Sequence, residues 1–151
     1  MEINITTGYK IFEKHYDRIA ESLGASNALG HELEGFIALR ALILLKLDLL
    51  LINHRNSIDQ ERLFLFGKNT LHHYLFTKKG IPFSEAKNLS LQDSLLILLQ
   101  EVSTFSVPTD LMNLLKNEFN FSSNNIKYVK DELRVFKDSD WDFGPADTRL
   151  N

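Results

Sequence analysis

The chain has 151 residues, of which 44 % are hydrophobic and 25 % charged, with a formal net charge of −3 and no cysteine. These values match one ordinary globular domain and exclude a disulfide framework, a thiolate site and a strongly basic nucleic-acid-binding protein. Leucine supplies 26 residues against seven Gly and three Pro, which favours helices over turn-rich β architecture.

The first helix is predicted over about Gly8 to Leu23, because Tyr9, Phe12, Tyr16, Ile19, Ala20 and Leu23 recur at the spacing of one buried face. Gly24 ends it. The charges on its other side read as a solvated face with i,i+3 pairs.

The second helix is predicted over about 27–54, with Ser26 or Asn27 as its cap. It contains FIALRALILLKLDLLLI, Phe36 to Ile52, in which apolar residues point in every direction. Lipid is the wrong surrounding for this run. Arg40, Lys46 and Asp48 each cost roughly 2.5 to 3.5 kcal/mol at a bilayer centre, while the Phe, Ile and Leu residues return only about 0.3 to 0.6 each. The run is therefore expected to be buried by its own chain or by a partner. Within the helix Arg40 and Asp48 lie about 12 Å apart along the axis, too far to satisfy one another.

Ser57 followed by Gln60 reads as a capping box, and predicts a third helix over about 57–79, antiparallel to the second. In that register Arg40 is level with His72, and Asp48 with Arg62. Lys78, Lys79, Gly80 and Pro82 mark its end. Further helices are predicted after Ser84 or Ser90, from Thr109, and from Ser122 or Ser123. In the last, Ile126, Val129, Leu133 and Phe136 form the apolar stripe. The expected fold is an all-α single-domain bundle of about six helices, with a body over 1–137 and an acidic, aromatic tail over 138–151 without regular structure.

The search for chemistry finds no HExxH, no glycine-rich phosphate loop and no nucleophile elbow, so no catalytic residue, metal or cofactor is expected. His31 and Glu34 are one turn apart and read as a capping or solvated pair. Lys127, Lys130, Arg134 and Lys137 form one basic stripe on the last helix, diluted by neighbouring acids, and nucleic acid is disfavoured.

Two candidate sites remain. The tail offers Trp141 and Phe143 as aromatic anchors, with Asp138, Asp140 and Asp142 steering a basic protein partner; its bland counterpart is that both rings pack on the body. A polar pocket between the second and third helices would use Arg40, Asp48 and His72 to hold a phosphate or carboxylate. The leading functional expectation is a non-enzymatic protein-binding module, such as a stoichiometric inhibitor of the immunity or antitoxin kind. The alternatives are a small-ligand sensor or enzyme using that pocket, and a DNA-contacting regulator using the last helix. No signal peptide or spanning helix is read from the sequence, so a cytoplasmic protein is expected, and a homodimer is compatible with it.

Overall fold

Asn4 starts the first helix by accepting the Thr7 amide on its side chain, and α1 (Ile5–Ser22) then buries Gly8, Ile11, Phe12, His15 and Ile19 along one face. The computed structural model describes residues 3–24 and 32–150. The expected cap of the second helix at Ser26 or Asn27, and His31, lie outside them.

Helix α2 (Glu34–Ile58) is the central element and the main partner of α1. No residue from Phe36 to Ile52 is exposed, and Ala41, Leu44, Leu45, Leu47, Leu49, Leu51 and Ile52 are wholly buried. The all-round apolar helix is thus covered by its own chain. Gly35 makes one approach possible at its start: a Cβ there would lie 1.7 Å from the backbone oxygen of Ser122.

The expected long third helix is corrected. Helix α2 continues through Ser57, whose hydroxyl donates to the His54 carbonyl instead of capping a new helix. Residues 59–68 are not helical, and α3 (Asn69–Lys79) has only 11 residues. It packs beside α2, with His54 against His73. Its end is as predicted: Gly80 is left-handed at φ 69°, and the amides of Gly80 and Ile81 return to the carbonyls of Phe76 and Leu75.

A short α4 (Phe83–Ala86) leads to Ser90, which accepts the Asp93 amide as expected and opens α5 (Leu91–Ile97). The chain breaks at Leu98 before α6 (Leu99–Thr104). Helix α7 (Thr109–Glu118) begins just behind Pro108, with Pro108 rather than Thr109 at the cap position.

The predicted helix from Ser122 or Ser123 is also corrected. Only a 3-10 turn (Ile126–Tyr128) and α8 (Asp131–Arg134) form there. Local polar side chains compete with the helix: Asn120 accepts the Ser122 amide, Ser122 accepts the Asn124 amide, and Arg134 donates to the carbonyls of Ile126 and Val129. The basic stripe therefore does not occupy one helical face.

Nor is the tail an irregular appendage. A 3-10 turn (Asp138–Asp140) and α9 (Gly144–Arg149) carry Trp141, Phe143, Ala146 and Leu150 into the same core as α1 and α2. Among the described residues there are nine α-helices and no strand, an all-α single domain. No helix among them is long and apolar enough to cross a membrane.

Candidate functional site

The two charges stranded in the apolar run find their partners in the C-terminal segment. Asp48 is wholly buried, with His15 Nε2 2.6 Å from Oδ2 and the indole N–H of Trp141 donating to Oδ1 at 2.8 Å. Burial pushes its carboxyl up, and the contacts with His15 and Trp141 pull it back down. Arg40 donates to the Arg134 carbonyl at 2.8 Å, lies 3.9 Å from Asp140, and is sandwiched by the rings of Phe136 and Phe36 at 3.6 and 5.0 Å. Burial lowers its guanidinium to about 10, against the pull of Asp140, so it stays charged at neutral pH.

Arg55, one turn from the end of α2, is the largest fully buried side chain. It donates to Asp147 Oδ1 at 2.5 Å and to the carbonyls of Asp147 and Leu150 at 3.1 and 3.0 Å. These three bonds and the Asp147 carboxylate compensate the buried charge, while Nε is buried without a hydrogen-bond partner. The aspartates at 140 and 147 and the indole of Trp141 thus form a polar ladder that clamps the C-terminal segment onto α2.

This geometry relocates both candidate sites. Trp141 and Phe143 are 5 % and 3 % exposed, so they are core residues and not presented anchors. Asp140 is buried beside Arg40, Asp138 accepts the Leu91 amide, and Asp142 bonds Arg18 and the Gly144 amide. The expected pocket of Arg40, Asp48 and His72 does not assemble. Arg40 lines a cavity of about 260 Å³ with Ile19, Leu23 and Asp140, whereas His72 lines a separate one with Lys68 and Lys87. Arg62, expected beside Asp48, pairs with Asp147 instead. Shortening the third helix removed the register that brought these residues level.

What the shortening created is the loop of residues 59–68, which presents large apolar side chains to water. Asp59 accepts the amides of Leu63, Phe64 and Leu65 at 2.9, 2.8 and 2.7 Å, and these bonds, led by that from Leu65, hold its carboxyl below the usual range. Arg62 adopts φ 58° and donates twice to Asp147, at 3.1 and 2.7 Å. Asp147 also accepts the Gly67 amide at 3.0 Å. Burial alone would raise the Asp147 carboxyl; the bonds from Arg62, Gly67 and Arg55 hold it below its ordinary value.

The loop is therefore pinned at its start by Asp59 and at its middle and end by Asp147. Leu65 turns inward and is 7 % exposed, but Leu63 and Phe64 are 70 % and 76 % exposed, with Phe66 and Ile58 also in water. Sequence reasoning missed this surface by placing residues 63–66 within a continuous third helix. The signal was present in LFLF followed by Gly67, since four consecutive apolar residues cannot share one side of a surface helix.

Among the described residues no group of His and carboxylate side chains is placed to hold a metal ion. Comparison with protein-family models, with curated proteins and with solved structures gives no match.

Proposed function

We propose that this protein is a non-enzymatic protein-binding module that engages its partner through the 59–68 loop. The observation that carries the reading is a cluster of exposed large apolar side chains, Leu63, Phe64 and Phe66, on a backbone fixed by Asp59 and Asp147. Large exposed apolar groups cost solubility unless something covers them, and aromatic anchors near the middle of a contact dominate binding energies. Fixing the loop beforehand lowers the ordering cost of association. The C-terminal segment takes part by holding the loop and not by touching the partner. A stoichiometric inhibitor is the simplest form of such a module.

The test compares wild type with Phe64→Ser in affinity capture from the source cell, followed by reconstitution with the captured protein. A partner that binds wild type and loses at least tenfold affinity for Phe64→Ser supports the reading, tenfold being about 1.4 kcal/mol at an anchor residue. Equal binding by both proteins sinks it. The activity of the captured protein, with and without the module, then reports on inhibition.

A further inference from the structure

Away from that loop's apolar tip, a second feature concerns small molecules. A cavity of about 150 Å³ opens where the start of α3 meets the α4–α5 connection and the C-terminal segment. Ser94 and Trp141 are buried in its wall, while Lys68, Lys87 and Asp138 are exposed at its mouth and His72 is half-buried between them.

The charges are unevenly matched. Lys68 and Lys87 make no ion pair among the described residues, and Asp138, the carboxylate in the lining, has Oδ1 committed to the Leu91 amide at 2.8 Å. Both ammonium groups act on His72: burial, then Lys87 and Lys68, lower its imidazole below the ordinary value. His72 Nδ1 is buried without a hydrogen-bond partner. A buried N–H lacking an acceptor is costlier than a bare lone pair, so the neutral ring keeps its hydrogen on Nε2, as a donor. The Phe83 ring braces the cluster, lying 6.1 Å from the His72 ring, edge to face, and 4.9 Å from Lys87 Nζ.

We propose that this cavity is a binding site for a phosphate group, either free phosphate or the phosphate of a small monoester. Lys68 and Lys87 supply the counter-charge, and His72 Nε2–H and the Ser94 hydroxyl donate to its oxygens. Asp138 repels anionic oxygens from its own side and accepts a hydroxyl of an ester ligand. The volume leaves room for a group of a few heavy atoms. The site shares Lys68 with the end of the 59–68 loop but none of the apolar side chains at its tip, Leu63, Phe64 and Phe66, and neither proposal depends on the other.

The experiment titrates the full-length protein with inorganic phosphate and with ribose 5-phosphate, each against sodium chloride at matched ionic strength. Thermal shift and the imidazole resonances of His72 are read together. Phosphate or the ester should raise the melting temperature and move the His72 signals. Lys87→Met and Lys68→Met should each weaken binding about tenfold, the loss of one charge-assisted contact, while Lys116→Met on the exposed face of α7 should not. All three lysines are exposed, so these variants keep the fold, which circular dichroism verifies. Tighter binding of the ester assigns the site to an organic phosphate, and equal or tighter binding of phosphate assigns it to the free anion. No response beyond chloride, or an unchanged response in the Lys68→Met, Lys87→Met double variant, overturns the proposal.

Discussion

The indole N–H of Trp141 donates to Asp48 at 2.8 Å, joining the acid in the middle of α2 to an aromatic residue 93 positions later. His15 of α1 completes the contact from the other side at 2.6 Å. One buried carboxyl therefore fastens three parts of the chain. Trp141→Phe removes the donor and also shrinks a buried ring, and is expected to cost about 1 to 3 kcal/mol for the stranded acceptor with a cavity term in addition. Asp48→Ala strands both partners and should cost more. Urea midpoints decide: an unmoved midpoint in Trp141→Phe would show that the bond contributes nothing.

Arg55 supplies the second prediction, because its charge is wholly buried and its partners Asp147 and Leu150 both belong to the last dozen residues. Asp147→Ala is expected to destabilise the fold by about 3 to 5 kcal/mol, the range for removing one partner of a buried pair. Deleting residues 144–151 should leave a chain without a cooperative unfolding transition. A truncated protein that melts like wild type would contradict the clamp.

The 59–68 loop should respond differently to mutation at its tip and at its base. Phe64→Ser and Leu63→Ser alter exposed side chains, so stability is expected to change by no more than about 0.5 kcal/mol. Asp59→Ala removes the acceptor of three backbone amides and should raise amide exchange and protease cleavage within 59–68 while sparing the core. Uniform protection in Asp59→Ala would mean that the loop is held by something else.

Gly35 gives a prediction about backbone approach. A methyl group there meets the Ser122 carbonyl at 1.7 Å, and backbone gives way less easily than a side-chain tip. Gly35→Ala is expected to cost at least about 1 to 3 kcal/mol, the usual range for overpacking, although alanine is the better helix former. A stabilised Gly35→Ala protein would refute the close contact.

The histidines predict how stability follows pH. His54 is lowered to about 4 by burial first, then by His73 and Lys78, whereas in the unfolded chain it titrates near 6.5. Between these values the unfolded state binds more protons, so stability is complete above pH 6.5 and falls as pH drops towards 4. His72 shifts the same way. Asp48, raised by burial, acts with the opposite sign, so His54 is isolated by comparing wild type with His54→Gln. Unfolding free energies at pH 7 and 4.5 should differ by roughly 2 kcal/mol more in wild type, allowing for solvent screening. Identical slopes would remove His54 from the account.

The elements legible in the sequence are those whose signals are local. The apolar face of α1, Ser90 ahead of Asp93, and Gly80 after two lysines each act within one or two turns, and the structure contains all three. The failures lie where a distant group outbid a local one. Ser57 and Gln60 have the spacing of a capping box, yet α2 runs through Ser57 to Ile58 and Gln60 lies in the loop, because the Asp59 loop and Asp147 offer the following amides and Arg62 better acceptors. The region after Ser122 has helical periodicity, but Arg134 takes the carbonyls that a continuous helix would use.

By itself the sequence determined that the chain is all helical, that α2 must be covered on every side, and that Arg40 and Asp48 need partners beyond their own helix. Composition, periodicity and the cost of unpaired buried charge suffice for those conclusions. Which partners answer was decided only by tertiary structure. Asp140 and Asp147 read as solvent-facing acids of a tail, with Trp141 either packed or presented, because aspartates near an aromatic look the same whether they face water or a buried cation. Only the fold places Arg40, Asp48 and Arg55 opposite them, and so turns the tail into core and leaves Leu63, Phe64 and Phe66 in water.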